Sequence, residues 1–332
     1  MRFKKRECSF VKVKSDHFAT TRIYDVFWEF ACERQKIFFA RLSGKESPWT
    51  NDPILQNYKF TNAYRASDRV SQYLIRRVIY TQEKYSPEDI LFRILIFKVF
   101  NRIETWELLE KELGEISYKS FDKQKYARIL SQAQQKHPIF SSAYIMPPGK
   151  SREDRLKKYE YYLNLIHYMF QDGLSAKIAK SQSLEELYLL LHSYDGIGNF
   201  LAFQFAIDIN YSELCDYSEM SFVVPGPGAQ RGIQKCFNAD HLSYTEILKY
   251  VTENQETEFE KRGLHFKSLF GRRLQLIDCQ NLFCEVDKYT RVGYPEIKIK
   301  DQRLRIKQKF KPNVDSIDYF FPPKWNLNTV IP

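Results

Sequence analysis

The stretch SLEELYLLLHSYDGIGNFLAFQFAI, from Ser183 to Ile207, decides the fold class by its punctuation. Ser183 with Glu186 three residues on has the form of a capping box, and the apolar run behind it builds one helix. Asp195-Gly196-Ile197-Gly198 closes a tight turn, and Asn199 opens a second helix, so the segment reads as a helix-hairpin-helix. Two glycines let backbone approach an oxyanion closely, and the unpaired amides at the start of the second helix suit a phosphate. Gly196, Gly198 and Asn199 are therefore candidate DNA contacts. The alternative is an ordinary helical hairpin whose glycines cap the first helix.

Helical periodicity extends outward in both directions. Phe27, Phe30, Ala31, Ile37, Phe38 and Leu42 recur near a 3.6 period between Tyr24 and Leu42, and the Gly44 to Pro53 stretch ends that helix. A second pattern runs from Thr61 to Ile79, a third follows Ser86-Pro87, and more follow to His137. Ile145 to Asp154 is the best central loop, after which a helical period resumes to Gln171. Twelve glycines in 332 residues are few for a fold built on glycine turns, so an all-α chain is expected. The expected division is an N-terminal helical subdomain (1–150), a helix-hairpin-helix and catalytic subdomain (151–295), and a basic arm with an aromatic tail (296–332). Ile297, Ile299, Leu304 and Ile306, mixed with basic residues at spacing two, predict one short strand or an extended arm.

Composition narrows the function classes. Apolar content of 43% with 16% aromatic excludes a disordered chain. Neither a secretory h-region nor an uninterrupted apolar span is visible, which predicts a cytoplasmic chain with no membrane partner. Six cysteines without CxxC spacing read as free thiols; no metal and no cofactor is expected, and a monomer is. The net charge is +10, and eight basic residues against two acidic ones lie between Arg291 and Lys311. Lys298 and Lys300 belong to this arm, whose charge suits the backbone of double-stranded DNA.

Four further motifs carry chemistry. Asp278, Asn281, Glu285 and Lys288 share one face if their segment is helical, giving an acid, an amide, a second acid and a cation; a solvated polar face is the alternative. Asn62, Arg65 and Arg69 are expected on one helical face for phosphate and base contacts, with Tyr64 and Asp68 on another. Gly226-Pro227-Gly228 enters a helix with Arg231 nearby, either an anion site or a structural turn. Gly149-Lys150-Ser151 ends like a triphosphate loop, yet Tyr144 stands where its first glycine belongs.

Phe60-Thr-Asn-x-Tyr-Arg-x-x-Asp-Arg69, Phe222-Val-Val-x-Gly-Pro-Gly-Ala229 and Asn281-x-x-Cys-Glu-x-Asp-Lys-Tyr-x-Arg291, in that order, resemble the alpha-glutamyl/putrescinyl thymine pyrophosphorylase-like family, also described as the helical domain associated with 5-hydroxymethyluracil DNA kinases. The resemblance implies an all-helical, DNA-glycosylase-like fold working on hypermodified bases in phage DNA. It extends to anti-phage glycosylases that remove glucosylated 5-hydroxymethylcytosine. Where such glycosylases carry a catalytic aspartate, this chain has Val224-Pro225-Gly226-Pro227, which leaves the acid among Asp216, Glu219, Asp278 and Glu285. Asn199 and Phe200 follow the second hairpin glycine where a Schiff-base lysine would stand. The expectation is a monofunctional glycosylase that flips out and hydrolyses a modified pyrimidine. The alternatives are base hypermodification, by amine transfer onto an activated 5-hydroxymethyl pyrimidine, and a non-catalytic DNA-binding module.

Overall fold

Helix formation follows the caps. The Thr21 hydroxyl accepts from the Ile23 amide to start α1 (Arg22–Leu42), and Asp52 accepts from the Ile54 and Leu55 amides to start α2 (Pro53–Asn57). Ser86, with Pro87 at the first helical position, starts α4 (Pro87–Phe100), which Asn101 ends in the left-handed region. Between them lies the short α3 (Arg69–Tyr73), continued as a π-helical turn, Leu74–Ile79. The chain proceeds through α5 (Ile103–Leu113), α6 (Lys123–Lys136), α7 (Lys158–Gln171), α8 (Leu174–Ile178), α9 (Leu184–His192) and α10 (Asn199–Asn210). Then come α11 (Pro227–Cys236), α12 (Tyr244–Glu253), α13 (Gln255–Lys261) and α14 (Leu276–Gly293). The computed structural model describes residues 19–142, 156–238, 243–299, 304–312 and 317–331, and among these it is helical with isolated bridges and no strand. None of these helices is long and apolar enough to cross a membrane.

Helices α9 and α10 flank the Asp195–Gly198 turn, as the punctuation of that segment requires. Gly196 takes φ +85, and a Cβ there would lie 2.0 Å from the Tyr161 hydroxyl, whereas Gly198, the residue before α10, faces open space. The helix opening at Gly226 is a packing device. Cβ atoms at Gly228 and Gly232 would meet Cys284 Sγ at 2.3 Å and the Phe283 carbonyl oxygen at 2.0 Å, so these glycines let α11 lie directly against α14. A Cβ at Gly226 would meet the Phe200 ring at 2.9 Å. Of the two readings of the Gly226-Pro227-Gly228 turn, the structural one accounts for its glycines. Helix α1 packs on both α11 and α14, so the opening helix shares a core with the closing one.

One sequence expectation needs correction. Residues 60–64 are not helical; helix begins with a 3₁₀ turn, Arg65–Ser67, because the Arg65 amide, which a helix from Thr61 would pair with the Thr61 carbonyl, is taken by Asp278, and that carbonyl accepts from Arg34. Of the two forms expected for the basic arm, the described residues take the extended one, with a single bridge: Lys309 pairs with Tyr58, the Phe310 amide donating to the Asn57 carbonyl at 3.0 Å. The tail's aromatics pack on the helices, with Phe321 fully buried and Trp325 edge-on to Tyr211. Lys300 and the Gly149-Lys150-Ser151 motif lie outside the described residues.

Gly232→Ala should lose about 3 kcal/mol of unfolding free energy in denaturant titration, since the new methyl meets backbone that cannot turn away. Gly198→Ala, with open space at its Cβ, should stay within about 0.5 kcal/mol of wild type.

Candidate functional site

Helix α14 clamps the loop before α3. Glu285 Oε2 accepts from the Thr61 amide at 3.0 Å, and Asp278 Oδ1 accepts from the Arg65 amide at 2.8 Å. The other Asp278 oxygen accepts from the Gln275 amide at 3.0 Å. The loop closes on itself where Asp68 Oδ1 takes the Asn62 amide at 2.8 Å. Buried Arg34 of α1 fastens it further, donating to the Thr61 carbonyl at 2.8 Å and to Asn62 Oδ1 at 3.0 Å. The two carboxylates expected as a catalytic stripe on α14 are thus both buried, and both are spent on backbone amides.

On the outer side of this loop lies a cavity of about 630 Å³. Arg34, Arg41, Lys59, Arg69, Lys309 and Lys311 line it, with Asp68 as its acid, and Trp49, Tyr58 and Phe60 supply aromatic wall. The Arg41 guanidinium stacks 5.0 Å from the Trp49 ring centroid, and Lys309 Nζ lies 4.0 Å from that of Tyr58. Part of the basic arm therefore builds one side of the cavity. Burial, reinforced by the Glu285 charge, pushes the Asp68 carboxyl up to about 7 against the pull of the Asn62 amide and Arg34. A carboxylate that changes charge near neutrality can take or give a proton in catalysis, and six cations suit phosphate.

The remaining candidates are distributed elsewhere. Arg65 is buried against Asp208 at 2.6 Å, and Lys98 reaches the other oxygen of Asp208 at 2.8 Å. That guanidinium holds α10 to the loop, in place of the phosphate contact expected of it. Asn62 is likewise buried and donates to the Ser67 carbonyl at 2.8 Å. Of the three residues expected on one helical face, Arg69 reaches the cavity as an exposed side chain and Asn62 contributes from the buried side. Glu219 is buried, paired with Arg272 at 3.3 Å and raised by burial, whereas the Asp216 side chain is 85% exposed. Burial first and then the Glu219 charge push Asp278 up to about 7.

Arg231, expected beside an anion, pairs with fully buried Asp287 at 3.2 Å. Lys288 pairs with Glu285 at 2.6 Å and lies over the Phe60 ring; Asn281 accepts from Gln280; Lys298 is exposed. Sequence reasoning missed Arg34, Arg41, Trp49 and Tyr58. The available signal was Arg34 and Arg41, one heptad apart and flanking the apolar positions Ile37 and Phe38 of α1.

Against this geometry, the chain matches the family described as "5-hmdU DNA kinase, helical domain" over residues 21–299. The chain belongs to this family. It is also 27% identical over 340 residues to a 5-hmdU DNA kinase of Bacillus phage SP10, an alignment covering 96% of this chain and 53% of that protein. The chain therefore spans about half the length of that curated relative. No solved structure matches it. These similarities correct the expectation of a monofunctional glycosylase, a hydrolase that removes the base: the relative is named for transfer to a modified base, and a kinase leaves the base in place. The family that the sequence resembles is the one that matches, and the excision chemistry attached to the resemblance is not supported.

Because Asp278 is raised only in the folded state, folding binds a proton between its ordinary value near 4 and about 7, and its contribution to stability falls as pH rises through that window. Denaturant titrations at pH 5 and pH 7.5 should show wild type losing at least about 1 kcal/mol more than Asp278→Asn over this interval. Equal losses in the two proteins would remove Asp278 from this account.

Proposed function

We propose that this chain is a base-modifying protein of DNA that takes a 5-hydroxymethyl pyrimidine nucleotide into the basic cavity and serves group transfer at its 5-substituent, with the glycosidic bond left intact. The observation that carries the proposal is a single near-neutral carboxylate, Asp68, set among six cations and an aromatic wall. Membership of the 5-hmdU DNA kinase helical-domain family supplies the class of substrate. An aromatic wall is the surface a flipped base requires, and the arginines and lysines suit its flanking phosphates.

Asp68 has one role in either route to a modified base. If the hydroxymethyl oxygen attacks the terminal phosphorus of a nucleoside triphosphate, the carboxylate takes the hydroxyl proton and the nucleoside diphosphate leaves. If an amine attacks the exocyclic carbon of a pyrophosphorylated base, the C–O bond breaks, pyrophosphate leaves and the carboxylate takes the ammonium proton. Both leave a base heavier or substituted but still attached. Asp278 and Glu285 serve as positioning residues, since they hold the loop that presents Asp68. The substrate in this proposal is double-stranded DNA of the kind found in modified phage genomes, gripped by Lys298, Lys309 and Lys311 without sequence preference.

The test is mass spectrometry of nucleosides from DNA containing 5-hydroxymethyluracil after incubation with the protein, a nucleoside triphosphate and Mg²⁺, and in parallel from pyrophosphorylated DNA with an amine. A mass-shifted nucleoside in either arm is expected, with turnover lowered about 100-fold in Asp68→Asn while DNA binding persists. Activity of wild type should fall as pH drops below about 7, because the base form of Asp68 is lost. Free base in the supernatant, or undiminished turnover in Asp68→Asn, would overturn the proposal.

A further inference from the structure

Helix α6 departs from the charge pattern of a helix that merely faces water. Tyr126, Ile129, Leu130 and Ala133 are its buried side, and the opposite side carries Lys125, Arg128, Gln132, Gln135 and Lys136, all exposed, at i, i+3, i+7, i+10 and i+11. A solvated face usually interleaves acids with bases so that pairs form one turn apart, as Lys261 finds Glu258 on α13. Helix α6 holds no acid at all, and the sequence from Lys123 to Arg152 has none either. Lys123 and Lys125 also stand in the first turn, where the positive end of the helix dipole opposes a cation. Asp122 at this end is the cap, its Oδ1 accepting from the Gln124 and Lys125 amides at 2.8 and 3.1 Å.

The start of α7 adds to this face. Lys157 Nζ donates to Ser131 Oγ at 3.2 Å, and Ser131 lies one turn from both Arg128 and Gln135 on α6. Glu160 is turned back onto the Lys157 amide at 2.7 Å. Lys123, Lys125, Arg128, Lys136 and Lys157 thus form a cationic surface, and none of them has an ion-pair partner among the described residues. Like charges one turn apart repel, and first-turn cations oppose the dipole, so this face weakens the free chain. A polyanion laid against it reverses both effects.

We infer that α6 and the start of α7 are a second track for the backbone of duplex DNA, made of residues that take no part in the basic cavity around Asp68. The lysines and Arg128 neutralise phosphates, while the Gln132 and Gln135 amides donate to phosphate oxygens. Lys125 and Lys136 are about 16 Å apart along the helix axis, which matches roughly five base-pair steps. Contacts of this kind hold the duplex that flanks a nucleotide drawn into the cavity and carry no sequence preference. The inference rests on the proposed action on DNA only for the identity of the polyanion.

Fluorescence anisotropy of the full chain on an unmodified duplex, over a series of salt concentrations, tests the surface without any turnover. Failure to modify a base would therefore count against the proposed function and leave this inference standing. The triple variant Lys125→Ala, Arg128→Ala, Lys136→Ala should bind at least about tenfold more weakly, and its plot of log affinity against log salt should flatten by about 2.7. Its thermal midpoint should stay at or above wild type, because alanine favours helix and the repulsion is gone. Lys84→Ala, Lys180→Ala, Lys249→Ala, combined, removes the same charge from elsewhere on the chain and should change the slope by less than about 1. An unchanged slope in the α6 variant, or equal losses in the two triple variants, would overturn the inference. So would loss of binding to phosphatidylserine vesicles in the α6 variant with duplex binding unmoved.

Discussion

Two carboxylates of α14 on two backbone amides of one loop are the constraint on which the site depends. Glu285 holds Thr61 and Asp278 holds Arg65, about two helical turns apart on the same face of one helix. A loop pinned at both ends by a rigid element has little freedom left, and Asp68 lies just beyond the second pin. The clamp also explains the secondary structure. With the Arg65 amide on Asp278 and the Thr61 carbonyl on Arg34, the first bond of a helix opening at Thr61 does not form, and the α-helical period is realised only after Ser67.

The electrostatics divide into a dry half and a wet half. Behind the loop, Asp208 is buried between Arg65 and Lys98, and Asp287 is buried among Arg231, Lys235 and Arg291. Buried ion clusters of this kind fix geometry more than they stabilise, because desolvation offsets most of their attraction. In front of the loop, Asp68 shares a cavity with arginines and lysines from α1, α3 and the basic arm. Asp68, although it lines the cavity, is raised toward neutrality first by burial and then by the like charge of Glu285, the side chain that holds Thr61. Support and chemistry therefore share one side chain.

Much of the fold was legible because it is written locally. Ser86-Pro87 and Ser183 with Glu186 mark helix starts, and Gly196 takes the positive φ that its turn needs. The site was less legible, since its parts are remote in sequence: Arg34, Tyr58, Asp68 and Lys309 meet only through tertiary packing. The α14 face was read correctly as Asp278, Asn281, Glu285 and Lys288 in register, but helical register cannot tell a carboxylate facing a substrate from one facing the backbone of a neighbouring loop. The charge of the arm was visible from composition. That Lys309 and Lys311 line a cavity rather than project freely follows from one bridge between Tyr58 and Lys309.

The central claim is that the clamped loop presents Asp68 as a carboxyl poised near neutrality. A carbon-13 NMR titration of the aspartate side-chain carboxyls, with the Asp68 resonance assigned by its disappearance in Asp68→Asn, measures this directly. The account predicts a midpoint for Asp68 of about 7, moving down in Glu285→Gln where the neighbouring negative charge is removed. A midpoint near 4 in wild type, unmoved by Glu285→Gln, would contradict it.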